Sequence, residues 1–200
     1  MKKFLIGLFV GAGLLMAMRA QAVQVNFDEL NADGDLTQLS SSYAGFSWSG
    51  DWYYGDTTVE GYGNGAHSGA VYVTNGYGAD NLTIAGATAF NFSGAWFAAP
   101  ATNGATAAWV NITAYDAADQ VIGTTGNVGI GSTYSWIAAS FANVSRLSIA
   151  RDDGWYVMDD FTTAQGVSAV PEPGSALLLA AGLLVLGWAK LQARRSSRQP

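Results

Sequence analysis

Apolar residues follow two patterns along this chain of 200 residues: long unbroken runs near either end and short alternations between them. In the middle, Val23, Val25 and Phe27 alternate with polar neighbours, as do Phe46 with Trp48, Val71 with Val73 and Phe90 with Phe92, while Trp96 falls less regularly. Successive side chains of a strand point to opposite faces, so a period of two marks strands with one buried face. Trp109–Tyr115 reads as such a strand, Asp116–Asp119 as a turn and Gln120–Thr125 as the returning arm of a hairpin. Further strands are expected at Ser135–Phe141, Val144–Arg151 and Trp155–Phe161, with Asp152-Asp153-Gly154 as a hairpin turn joining the last two. Gly, Ala, Thr, Ser, Tyr and Trp are abundant in this region, and the helix formers Leu, Lys and Glu are scarce. About nine or ten short strands separated by Gly-rich turns predict an all-β fold, an antiparallel jelly-roll-like β-sandwich over residues 23–166.

The terminal runs differ in kind. Lys2 and Lys3 precede the apolar stretch Phe4–Met18, and Ala20-Gln21-Ala22 supplies a small-x-small step. Residues 1–22 therefore read as a secretory signal peptide, with Ala20 and Ala22 as the determinants seen by signal peptidase; the alternative is an uncleaved N-terminal anchor. Near the other end, Val170-Pro171-Glu172-Pro173-Gly174 interrupts any regular structure, because proline fixes its backbone and lacks a donor. Every residue from Ala176 to Ala189 is apolar or Gly, and Lys190, Arg194, Arg195 and Arg198 follow. A helix from Gly174 to Leu191 would rise roughly 27 Å, enough to cross a hydrocarbon core of about 30 Å if the cations snorkel. A transmembrane helix is accordingly expected over 175–191. The cations stay cytoplasmic and the body of the protein lies outside.

Pro171-Glu172-Pro173, a short apolar helix and a terminal basic cluster, in that order, resemble the PEP-CTERM sorting tail of Gram-negative bacteria. The resemblance covers about residues 170–198, within an expected tail at 167–200. It implies that Pro171, Glu172 and Pro173 are recognised by exosortase, a membrane-embedded protease, and that the helix with Lys190, Arg194, Arg195 and Arg198 acts as a stop-transfer anchor. It also implies an inner-membrane precursor that faces the periplasm and then passes to the cell surface or medium. Within the body, Asn26-Phe27-Asp28-Glu29-Leu30, Tyr43-Ala44-Gly45-Phe46-Ser47-Trp48 and Val157-Met158-Asp159-Asp160-Phe161 are similar to strands of carbohydrate-binding and galactose-binding-like jelly rolls.

Composition narrows the chemistry. Seven of the nine Lys and Arg residues lie in the two tails, which leaves the body with fourteen acids against Arg146 and Arg151, a formal charge of −12. Such a surface repels nucleic acid, so no nucleic-acid partner is expected. With no Cys, thiol chemistry and Cys-ligated zinc are excluded. The single histidine, His67, reads as a loop residue, and G-x-S-x-G, P-loop and H-E-x-x-H motifs are absent. Glycoside hydrolysis needs two placed carboxylates, and nothing singles out such a pair. We therefore expect a non-enzymatic protein of the envelope or extracellular matrix.

Two candidate sites remain. Asn31–Asp35 has calcium-like spacing, but Leu36 and Ser42 stand where an EF-hand needs Gly and a bidentate acid. Asp28 and Glu29 would meet Asp159 and Asp160 if the first and last strands are neighbours, and the four could share a structural calcium ion. The competing reading has them as edge-strand charges pointing alternately in and out. The other candidate is an aromatic segment. Trp48 and Tyr72 are expected in the core, but Trp52, Tyr53 and Tyr54 are consecutive and cannot all face inward, while Tyr62 and Tyr77 follow in a Gly/Asn-rich stretch. Exposed rings of this kind offer a glycan-binding surface, with exopolysaccharide as the partner.

Overall fold

The computed structural model describes residues 22–101 and 104–165. The part of the expected signal peptide before Ala22, the sorting motif at 171–173, the helix expected at 175–191 and the basic end lie outside these residues. The chain divides into two units after residue 166.

The described body contains twelve strands: β1 (Ala22–Val25), β2 (Thr37–Gln38), β3 (Ser42–Tyr43), β4 (Phe46–Trp48), β5 (Trp52–Asp56), β6 (Val71–Asn75), β7 (Leu82–Ala98), β8 (Trp109–Tyr115), β9 (Val121–Thr124), β10 (Val128–Gly129), β11 (Ser135–Arg151) and β12 (Val157–Gln165). Its one short helical turn, a 3₁₀ turn at Gly76–Gly78, follows β6. All named strands pair antiparallel. The alternation expected for β8 holds, with Val110, Ile112 and Ala114 buried between half-buried neighbours, and β9 returns beside it as the hairpin arm. Asp116 closes that turn by accepting the N–H groups of Ala118 and Gln120, each at 2.9 Å.

Two 17-residue strands, β7 and β11, build the sandwich. The start of β7 lies between β4 and the end of β11, which continues into β8; this is the first layer. The rest of β7 lies between the start of β11 and β12, followed by β6, β5 and β2; this is the second layer. Exposed Ala87, Thr88 and Ala89 mark the bend in β7. Between the layers, Trp48 meets Trp52 edge-on at 5.4 Å and Phe161 at 5.9 Å, and Phe46 meets Phe90 at 5.2 Å. About a third of the core residues are aromatic, and their large rings offset the shortage of Leu.

Several expectations change. Residues 135–151 form one strand with bulges instead of two strands. The turn at 152–154 is not a hairpin: β11 and β12 do not pair, because β7 lies between them. Arg151 ends opposite Val110 in the first layer and Val157 begins opposite Ala98 in the second, so the turn carries the chain across the sandwich. Residues 105–108 bind the crossing, with Trp155 N–H donating to the Ala105 carbonyl and Ala107 N–H to the Trp155 carbonyl. As anticipated, the first and last strands are neighbours, from Ala22 opposite Ala164 to Val25 opposite Phe161.

Candidate functional site

Bulges decide what the outer face of the second layer presents. In β7 the register slips by one residue beside Gly94, so Phe90 and Phe92 point inward above the slip, Ala95 and Phe97 below it, and Trp96 is turned outward. In β12, Asp159 lies opposite Trp96 and Thr162 opposite Gly94, which leaves Asp160 as an extra residue in the left-handed region at φ 52°. Met158 and Phe161 therefore both reach the core, and Asp159 and Asp160 both serve the opposite face. A regular strand would have split this acidic pair across its two faces.

Both carboxylates hold the loop at 57–70. Asp159 accepts the backbone N–H groups of His67 at 2.8 Å and Ser68 at 2.9 Å. Asp160 meets His67 Nδ1 at 2.7 Å and accepts the Ser68 hydroxyl at 2.7 Å. Asp28 accepts the N–H groups of Ala70 at 2.9 Å and Val71 at 3.3 Å. The His67 ring lies parallel to the Trp96 indole at 3.9 Å, with Tyr134 edge-on at 5.6 Å. Burial pushes the Asp159 carboxyl up to about 7, with the neighbouring Asp160 charge adding to the rise and peptide N–H donors opposing it.

Tyr62 of the loop joins Tyr72, Ala98 and Val157 in a second apolar cluster. Tyr62 stacks on Tyr72 at 5.4 Å, 5° from parallel, and burial pushes the Tyr62 phenol up to about 12. Tyr72 is fully buried as anticipated, but in this satellite cluster and not in the main core. Among the described residues its hydroxyl has no hydrogen-bond partner.

The four acids considered for calcium separate in function. Asp28, Asp159 and Asp160 are engaged by N–H and side-chain donors of residues 67–71, and Glu29 accepts the Tyr43 hydroxyl at 2.5 Å. Among the described residues, no three acids or histidines converge where they would hold a metal ion.

The aromatic segment also separates. Trp52 is fully buried, and its indole N–H donates to the Thr83 carbonyl at 3.2 Å, so it is a core residue and not a binding residue. Alternation decides this: Trp52 and Trp48 face each other across the core. Tyr54 packs partly against the core and its hydroxyl donates to the Asn31 carbonyl at 3.4 Å. Tyr53 alone reaches an open cleft of about 120 Å³, which it lines with Leu36, Gly76, Tyr77 and Trp155. Tyr77 is 83 % exposed and held at φ 53° in the 3₁₀ turn, with its ring perpendicular to Tyr53 at 5.5 Å. Buried Asn75 fixes this turn: its amide donates to the carbonyls of Ala79 and Gly154 at 3.0 Å, and its oxygen accepts Tyr156 N–H at 2.8 Å. A Cβ on Gly76 would overlap the Tyr53 ring, so glycine is required for the approach. Sequence reasoning did not foresee that Tyr77 and Trp155 line one cleft. The available signal was Gly76-Tyr77-Gly78, since an aromatic between two glycines is poorly suited to a packed strand.

Fold and site together define an antiparallel β-sandwich with an acid-clasped loop and an aromatic cleft on one outer face. Residues 169–195 match the PEP-CTERM protein-sorting motif. The chain thus carries the sorting signal that marks an exported, membrane-anchored precursor in Gram-negative cells and its processing by exosortase. No curated protein sequence matches it. Among solved structures, the K2 cleaved adhesin domain of Lys-gingipain is similar at 14% identity, covering 72% of this chain and 100% of that one with a TM-score of 0.47. The tandem CBM22-1–CBM22-2 domain of Paenibacillus barcinonensis Xyn10C is similar at 11% identity, covering 77% of this chain and 47% of that one with a TM-score of 0.42. The CBM22-1 xylan-binding domain of the same Xyn10C is similar at 12% identity, covering 68% of this chain and 97% of that one with a TM-score of 0.38.

Proposed function

We propose that this chain is a non-enzymatic protein of the cell envelope or extracellular matrix, delivered there through its C-terminal motif. Pro171-Glu172-Pro173, inside the segment that matches the sorting motif, carries this reading. In the proposed route, signal peptidase removes residues 1–22, and the helix with Lys190, Arg194, Arg195 and Arg198 halts translocation, leaving the body facing the periplasm. Exosortase then acts at the motif, and the body passes to the cell surface or medium. Glu172 is a single carboxylate held between two prolines, so Glu172→Ala removes its charge and acceptors while leaving the apolar helix intact. In the producing bacterium, we expect Glu172→Ala to leave uncut protein in the inner-membrane fraction. Deleting 169–200 should release the body without an anchor. Fractionation and intact-mass analysis identical to wild type for both variants would refute the route.

A second reading, that the body binds a glycan, is favoured by the cleft of Tyr53, Tyr77 and Trp155. Tyr77 projects a largely bare ring beside two others, and sugar rings offer apolar faces that pack on such surfaces. Tyr77→Ala is expected to lower retention on the bacterium's own exopolysaccharide about tenfold, corresponding to about 1.4 kcal/mol. Its unfolding midpoint should stay unchanged, because the ring has little burial to lose. Unaltered retention would dismiss the cleft as the binding surface.

A further inference from the structure

We propose that residues 57–70 form a proton-linked strap, closed over the outer face of the second layer when Asp159 is protonated and released when the Asp159–Asp160 pair is fully charged. The strap lies flat on that face. A Cβ on Gly65 would overlap the Tyr72 ring, and one on Gly69 would overlap the Asp28 carboxylate. Its fastening is concentrated at residues 67–71, where Asp159, Asp160 and Asp28 receive four peptide N–H groups and the Ser68 hydroxyl. The middle of the strap is held by Asn64, whose amide donates to the carbonyls of Ala99 at 3.0 Å and Ser132 at 2.7 Å, and by the Tyr134 hydroxyl, which donates to the Gly65 carbonyl.

The fastening sits in an unbalanced field. β12 contributes Asp159 and Asp160, both almost completely buried, and the segment after β1 contributes Asp28. The strap itself contributes His67, the segment before β11 contributes Tyr134, and β6 contributes Tyr72, each phenol kept neutral by burial. β7 offers only the uncharged Trp96. Neither arginine of the body helps: Arg146 pairs with Asp119, and Arg151 pairs with Asp153 and donates to the Gly78 carbonyl. Two adjacent buried carboxylates thus face one imidazole, and the second negative charge is the least compensated.

The sign follows from linkage. The Asp159 carboxyl titrates higher in the closed structure, about 7, than in open chain, where its ordinary value is 3.8. The closed form therefore holds more protons. Its advantage is present in full at acid pH and is lost as pH rises through about 7. Opening would lift Tyr62 and His67 away and uncover Tyr72 and Trp96, and Trp155, whose ring meets Tyr62 edge-on at 6.4 Å, links the strap to the cleft. The strap does not depend on what the cleft binds.

The test is hydrogen exchange read by mass spectrometry on the full-length chain in detergent, corrected for intrinsic exchange, at pH 6 and pH 8.5. In wild type, protection of peptides covering 65–71 should fall about tenfold across this range. Asp159→Asn keeps an acceptor for both peptide N–H groups but carries no charge, so its protection should stay level. His67→Ala removes the Asp160 partner and the Trp96 stack, and should exchange fast at both values. Protection from β8 peptides serves as the fold control and should not move in any variant. If wild-type protection is level, or if Asp159→Asn loses protection as wild type does, the proposal fails.

Discussion

Trp52→Ala is expected to destabilise the body by about 4 kcal/mol, the usual range for a fully buried Trp truncated in a core. Three losses combine. The indole is wholly enclosed, so its removal leaves a large cavity between the layers. Its perpendicular contacts with Trp48 at 5.4 Å and Tyr156 at 6.1 Å disappear. The Thr83 carbonyl also loses the indole N–H donor. Against a total stability of about 5–15 kcal/mol, this loss removes a large share. It should lower the urea midpoint by about 2 M at a slope of about 2 kcal/mol per molar. Denaturation followed by near-ultraviolet circular dichroism checks it, and Tyr77→Ala in the same experiment should hardly move. A Trp52→Ala midpoint within error of wild type would contradict the core described above.

The second large effect lies at the crossing between layers. Gly154→Ala should cost about 3 kcal/mol, towards the upper end for single substitutions. Gly154 sits at φ +68°, where any side chain is strained, and a Cβ there would overlap the Ala105 carbonyl. The overlap cannot be relieved by a rotamer change, because the obstacle is backbone. Gly126 provides the comparison. It has φ +66°, and its built Cβ meets nothing within 4 Å. Gly126→Ala should therefore cost only about 1 kcal/mol, the conformational part alone. Thermal or urea unfolding of both variants separates the two contributions. Equal losses would mean that segment 104–108 can withdraw from the turn without penalty.

What could be read from the chain followed the physics of alternation. β8 and its return through Asp116 were legible because Val110, Ile112 and Ala114 keep a strict period of two and Asp116 supplies a local turn. Trp48 was placed in the core for the same reason, and the neighbourhood of β1 and β12 was inferred from the jelly-roll reading. Alternation failed where the register slips. The slip at Gly94 reverses the phase, so Trp96 looked irregular when it is a regular outward residue of a shifted strand. The bulge at Asp160 gave two consecutive acids the same face, against the reading that had them point alternately in and out. The length of β7 was hidden by the small residues of its bend, which carry no period. Asp152-Asp153-Gly154 has the composition of a hairpin turn. What decides its role is which strands pair, and pairing across many residues leaves no local trace. Of the candidate binding residues, Tyr53 was identified together with Trp52 because adjacency showed that one must be outside without showing which.

The seam between β1 and β12 has a consequence for biogenesis. Val23 opposes Thr163, two residues separated by 140 positions. Almost the whole body must therefore have been synthesised before β1 can pair with β12. Until then the edges of β6 and β7 that β12 will occupy lack their partner, and pairing across so many residues costs the chain a large loop-closure entropy. Once zipped, its entry and exit strands run side by side, so a pull on either terminus loads the same seam.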